Sequence, residues 1–252
     1  VPHDERGGSR LEVGVDQLDL GAMGLDLVHQ VTVEGIDGGQ ALGDEPGLVN
    51  GHTHLELMAL RGLVRNLPFP RWVGAVRRIK DALAPAHLAA SARWGVLEGF
   101  AGGITSVGDT GSSGAPAAAM AALGVRGVAY QEVFGPDPAQ AGDAVRDLES
   151  AVDALLPLAS ERLRLGVSPH APYTVSTRLL GEVVALVRRR GWPVAMHLAE
   201  SPEEDHFVRH GEGPFAEGHR KRGILVQPHG CSSVAWARRA GLLDLRPHRS
   251  RR

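Results

Sequence analysis

The amino-acid sequence predicts an α/β chain of repeated βα units on a parallel sheet, a (β/α)8 barrel of the TIM-barrel type that is incomplete. Three observations predict it. The chain has 252 residues, and a closed barrel of this kind takes roughly 250. From Pro46 onward, short apolar runs alternate with longer stretches of helical periodicity, as when strands return to one sheet through crossover helices. Five such units are legible up to residue 245, about three fewer than a closed barrel needs.

Taken in order, residues 1–45 are weakly patterned. LEVGV (11–15) and LVHQVTVEGI (27–36) read as short strands between Gly- and Asp-rich turns, a small N-terminal β segment. The patterned text of 46–245 opens with GLVNGHTH (47–54), the first barrel strand. Trp72, Val73, Val76 and Ile79 recur at helical spacing and predict a helix from Phe69 to Leu83. A second helix over 85–100 stops at Gly102-Gly103, a C-cap pair. ITSVGDT (104–110) is the second strand, and the Ala-rich stretch 115–123 is its helix, ended by Gly124. VRGVAYQEVFG (125–135) is the third strand, with a long helix over 138–159. LRLGVSPH (163–170) is the fourth, with a helix from Ser176 to Arg190 closed by Gly191. PVAMHLAES (193–201) is the fifth, leading into a helix at 202–210. Beyond Gly211 the periodicity fades, leaving one helix at Ser233–Ala240 before the basic end RPHRSRR (246–252).

Composition narrows the function classes. Hydrophobic residues at 43% and charged residues at 22% exclude a disordered chain. The net charge of −2, from 27 basic and 29 acidic residues, sets up no field for nucleic acid or an anionic membrane. The basic tail then reads as accidental rather than as a nucleic-acid contact. Only Lys80 and Lys221 among the bases are lysine, a bias given no functional reading. The single cysteine, Cys231, excludes a disulfide framework and a cysteine-cluster metal site. No apolar run approaches the ~20 residues of a membrane span. The first residues, VPHDERGGSR, are charged where a signal peptide would be apolar. A cytoplasmic protein with no nucleic-acid or membrane partner is expected.

The chemistry lies at strand ends. His52 and His54 close the first strand, and residues i and i+2 on a strand share a face about 6.5–7 Å apart. Both imidazoles can reach one metal ion there, although two surface histidines are the ordinary meaning of such a triplet. His197 ends the fifth strand, as a third imidazole suited to Zn2+ or Fe2+ or as a hydrogen-bonded rim residue. Glu200 follows on the loop, where a carboxylate above an activated water can carry a proton. A helix-terminal charge favoured by the dipole is the alternative, and it suits Glu203 and Glu204 better. His170 ends the fourth strand in SPHAPYT, where Pro169 and Pro172 fix its loop for a substrate contact or simply form a turn. Asp109 and Glu132 also lie near strand ends, and structural hydrogen bonding is the favoured role for both.

In combination these elements resemble the amidohydrolase superfamily, in its cyclic-amidine deaminase and chlorohydrolase branch. The resemblance rests on PGLVNGHTHLE (46–56), GITSVGDT (103–110), GVSPHAPYTVS (166–176) and HLAESPEE (197–204), and it extends over residues 46–245. It implies a barrel with one divalent ion, Zn2+ or Fe2+, bound by His52, His54 and His197. Glu200 corresponds to the proton shuttle and His170 to a substrate-contacting histidine. The implied activity is hydrolysis of a non-peptide C–N bond in a small molecule, the deamination of a purine- or triazine-like cyclic amidine. Chlorohydrolysis of a similar ring, or a catalytically dead remnant, are the alternatives. Residues 1–45 stand where the family builds half of a small β-sandwich. The family also supplies a histidine from its sixth strand and an aspartate from its eighth. Here the match ends near Leu245; no strand surrounds His248, and Asp244 does not replace the aspartate. An early stop or frame change near residue 246 is the simplest account. Impaired catalysis, open strand edges and a homo-oligomer are the expected consequences.

Overall fold

The computed structural model describes residues 19–21, 24–26 and 47–245. Two short strands, β1 (Asp19–Gly21) and β2 (Gly24–Asp26), pair antiparallel. The main sheet has four strands: β3 (Leu48–Thr53), β4 (Ile104–Gly111), β5 (Arg126–Val133) and β6 (Leu163–Pro169). They lie in the order β3-β4-β5-β6, and every neighbouring pair is parallel. Helices α1 (Phe69–Ala82) and α2 (Pro85–Ala101) connect β3 to β4, and α3 (Ala115–Leu123) connects β4 to β5. Helix α4 (Ala141–Leu155) leads to β6, and α5 (Thr177–Arg190) follows it. Three shorter helices come after: α6 (Pro202–His210), α7 (Pro214–Arg220) and α8 (Ser233–Arg239).

The boundaries follow from local chemistry. The Ser176 hydroxyl accepts from the Leu179 amide to open α5, and Gly191 ends it at φ +69°. One face of α5 buries Leu179, Leu180, Val183, Val184, Leu186 and Val187, at about 1.5–3 kcal/mol for each large apolar side chain. That face meets Leu165 and Val167 of β6 and Leu148 and Val152 of α4 in a continuous core. Gly127 lets β5 approach β4 closely, because a Cβ there would sit 1.8 Å from the Val107 carbonyl oxygen. The four-strand sheet agrees with the barrel-type fold and with its incompleteness. Among the described residues β3 is an edge strand, and its Leu48 and Val49 are 62% and 73% exposed.

The fifth strand is a correction. Residues 193–201 form no strand; a single parallel bridge joins Val167 to Val194. Val167 N–H donates to the Pro193 carbonyl, and Ala195 N–H donates to the Val167 carbonyl. A regular ladder would next use the amide of residue 169, but Pro169 has none. His197 N–H donates instead to the His170 carbonyl at 2.9 Å, so the register slips by one residue. Helix α7 lies where the periodicity had faded. Its Pro214 supplies a preset first turn, and Phe215 stacks on Tyr173 at 4.0 Å between ring centroids. The expected strands at 11–15 and 27–36, the tail 246–252 and His248 lie outside the described residues. Among the described residues no helix is long and apolar enough to cross a membrane.

Candidate active site

His52 belongs to β3, and His54 lies just past its end, at the C-terminal mouth of the sheet. The slipped register at residue 197 brings a third ring beside them. One ring nitrogen from each of His52, His54 and His197 lies within 4.8 Å of the others. Their ring centroids are 4.8 to 5.2 Å apart. His170 stands next to this group, its centroid 4.8 Å from that of His197.

Hydrogen bonds fix the tautomers. His54 Nδ1 lies 2.8 Å from the Thr110 carbonyl oxygen, and His197 Nδ1 lies 3.0 Å from the His170 carbonyl oxygen. A carbonyl only accepts, so both Nδ1 atoms carry the proton and both Nε2 atoms present a lone pair. Those two Nε2 atoms face each other at 3.2 Å. Two lone pairs at that distance repel unless a cation or a proton lies between them. Burial, reinforced by His197 and His52, lowers His54 to about 4, so a shared proton is disfavoured near neutrality. Burial and His197 also lower His52. Neutral imidazoles with backbone-anchored Nδ1 atoms are the donor chemistry that a borderline divalent ion takes, so these residues fit one.

The ground beneath the β3 histidines is a buried ion pair that sequence reading missed. Glu56 is 1% exposed and sits two residues beyond His54, in a short 3-10 helix over Leu55–Leu60. Its carboxylate accepts from Lys80, from the Ser112 and Ser113 amides at 3.0 and 3.1 Å, and from the Ser113 hydroxyl. Burial alone would raise Glu56, but Lys80 and the serine donors outweigh it and hold the carboxyl below its ordinary range. Lys80, given no function from composition, thus joins α1 to the loop after β4. Gly111 leaves room for this, since a Cβ there would sit 3.1 Å from the Glu56 carboxyl carbon. Asp109 takes the structural role expected of it, accepting from the Leu55 amide at 2.7 Å. Its other oxygen is buried without a partner, and burial pushes the carboxyl up to about 8.

Glu200 is held differently. It lies on an exposed loop, near enough to His52 for its charge to act on that ring. The Tyr173 hydroxyl donates to Glu200 Oε2 at 3.0 Å. Between His197 and Glu200, Ala199 adopts φ +57°, a left-handed conformation costly for a residue with a Cβ. Glu204 holds that turn. Its carboxylate, fully buried, accepts from the Ala199 amide at 2.8 Å and the Glu200 amide at 3.4 Å. Glu204 does lie in the first turn of α6, as the helix-terminal reading has it, and the two loop amides are a second role. A signal existed in Ser201-x-x-Glu204, a capping spacing, and the Ser201 hydroxyl does accept from the Glu204 amide.

His170 Nδ1 lies 2.8 Å from Thr174 Oγ1. Burial lowers this ring to about 3, so it is neutral. Glu132 departs from expectation. Its Oε1 is buried with no hydrogen-bond partner, and burial pushes the carboxyl up to about 7. One of its carboxylate oxygens instead shares a 4.8 Å neighbourhood with ring nitrogens of His170 and His197.

Histidines gathered at the C-terminal mouth of a parallel βα sheet define the class, a barrel-type protein with a metal-capable site. The profile of the amidohydrolase family matches residues 45–230, and the chain belongs to that family. It is 32% identical over 194 residues to an aminodeoxyfutalosine deaminase from Deinococcus radiodurans, covering 75% of this chain and 44% of that protein. The fold superimposes on an aminofutalosine deaminase from Helicobacter pylori, crystallised with methylthio-coformycin, with a TM-score of 0.62 and 21% identity. That match covers 74% of this chain and 45% of the other. An atrazine chlorohydrolase from Arthrobacter aurescens, complexed with zinc, matches with a TM-score of 0.59 and 17% identity, covering 78% and 46%. The chain spans less than half the length of these relatives.

Proposed function

We propose that this chain carries the metal-binding part of a hydrolase that deaminates a purine-like cyclic amidine. In this reading His52, His54 and His197 hold one divalent ion, Zn2+ or Fe2+. A divalent ion there supplies a Lewis acid and makes water a nucleophile near neutral pH. Glu200 accepts the attacking water's proton on a carboxylate oxygen and delivers it to the ring nitrogen. Tyr173 and Glu204 keep that oxygen aimed, one through the carboxylate and the other through the backbone. His170 contacts the ring. The exposed edge of β3 supports a further expectation, that copies of the chain associate.

The observation that carries the reading is the pair of Nε2 lone pairs facing each other at 3.2 Å. Membership of a family whose relatives include nucleoside-type deaminases supports the choice of reaction. Elemental analysis of protein purified without chelators tests the ion. The wild type is expected to retain zinc or iron, and a His52→Ala/His54→Ala variant to lose it; equal metal in both sinks the reading. Loss of the 6-amino group, followed by ultraviolet absorbance on a panel of aminopurine nucleosides, tests the reaction.

A further inference from the structure

One residue of the site, Glu132, has no task in that scheme. Glu132, the last residue but one of β5, is 8% exposed, and among the described residues its buried Oε1 has no partner. A carboxylate oxygen lies within 4.8 Å of ring nitrogens on His170 and His197. The hydrogen bonds around His170 leave no donor there. Thr174 Oγ1 donates to the Ala171 carbonyl at 3.1 Å and accepts from the Ala171 amide at 3.2 Å. It therefore receives the His170 Nδ1 proton at 2.8 Å, and His170 Nε2 is left as a lone pair. Phe134, 44% exposed, lies against the His170 ring at 4.7 Å between centroids and supplies an apolar wall. His170 and His197 thus converge as acceptors beside the Glu132 carboxyl, whose ionised form accepts as well.

Such a corner takes either a cation or a group rich in N–H donors. A second ion is the poorer fit. The free nitrogen of His197 already faces His54, so a second ion would keep two protein ligands beside a like charge. We propose that Glu132 and His170 form a ligand-recognition corner for the N–H donors of an amino-substituted nitrogen heterocycle, and that Glu132 discriminates against the oxo counterpart. This rests on the reading that a nitrogen ring binds over the histidines. An amino group satisfies the ionised carboxylate, whereas a carbonyl turns a lone pair towards it and leaves both unpaired.

Calorimetric binding of adenosine and inosine to the zinc-loaded chain tests this, in a Glu200→Gln background that stops turnover. Adenosine is expected to bind about tenfold or more tightly than inosine. Adding Glu132→Gln should abolish or reverse that preference, because the new amide can donate to the inosine carbonyl. Glu132→Met, which removes the acceptor and needs no partner of its own, should also erase it. A preference unchanged in both variants overturns the proposal, as does failure of either nucleoside to bind the Glu200→Gln chain. Deamination by the wild type alongside a Glu132-independent preference refutes this corner alone. A Glu132-dependent preference in a chain that never deaminates supports the corner and counts against the reaction.

Discussion

The two sides of the histidine group are secured by different means. His52 and His54 rest on a strand that pairs in parallel with β4 and on the Glu56–Lys80 ion pair beneath it. His197 and Glu200 rest on a single bridge, a left-handed alanine and one buried carboxylate. The β3–β4 pairing shifts register past Asn50 and resumes at Thr53–Asp109, and side chains brace it there. Past Pro169, where pairing with β6 ends, Glu204 holds the turn by accepting the Ala199 and Glu200 amides. The β3 side should therefore fail through global stability and the β6 side through local order.

The largest effect is expected on the β3 side. Lys80→Met leaves Glu56 buried without its counter-charge and should lower the unfolding free energy by about 3 kcal/mol or more, read by urea denaturation. A double variant, Lys80→Met/Glu56→Leu, should regain much of that loss. If the single variant is as stable as wild type, this side does not depend on the pair.

Glu204→Ala should cost about 2 kcal/mol, the desolvation of two amides left without an acceptor. Its local signature should be faster hydrogen exchange at Ala199 and Glu200 while the amides of β4 and β5 stay protected. Uniform loss of protection across both sides would erase the contrast.

Asp109 gives a pH dependence to the β3 side. Burial raises its carboxyl from the ordinary 3.8 to about 8, so the folded chain keeps a proton that the unfolded chain has released. The stability it contributes is fully present below about pH 4 and is lost as pH rises towards 8. Asp109→Asn should flatten that decline by at least about 1 kcal/mol, near the equivalent of one pK unit. Parallel stability–pH curves for the two proteins would contradict this.

The smallest effect is expected from Tyr173→Phe, about 1 kcal/mol or less, since the ring keeps its stack on Phe215. Its consequence should be confined to Glu200, whose carboxyl should sample more than one rotamer in side-chain NMR relaxation. An unchanged Glu200 would mean that the loop backbone alone aims it.

Much of this was legible in the sequence, for identifiable reasons. The run from Leu163 to Pro169 and the helix after Ser176 were placed within a residue or two, because periodicity, a capping serine and Gly191 are local signals. His52, His54 and His197 could be picked out because each ends an apolar run. Glu132 could not be read correctly, since a buried unpaired carboxyl and a hydrogen-bonded one look the same in QEV. Helix α7 escaped because seven residues with an internal glycine carry little periodicity, and its place depends on Phe215 meeting Tyr173.

The sequence by itself determined what depends on near neighbours: which stretches are strands and helices, where they stop, and which side chains stand at strand ends. Tertiary structure alone decided what depends on distant partners. It set His54 against His197 across 143 residues, joined Glu56 to Lys80, reduced the fifth strand to a bridge and left Glu132 facing the site without a partner. The physical reason is that periodicity and caps are short-range energies, written within a few residues. Burial, tautomer and the pairing of charges exist only once separate elements share one volume.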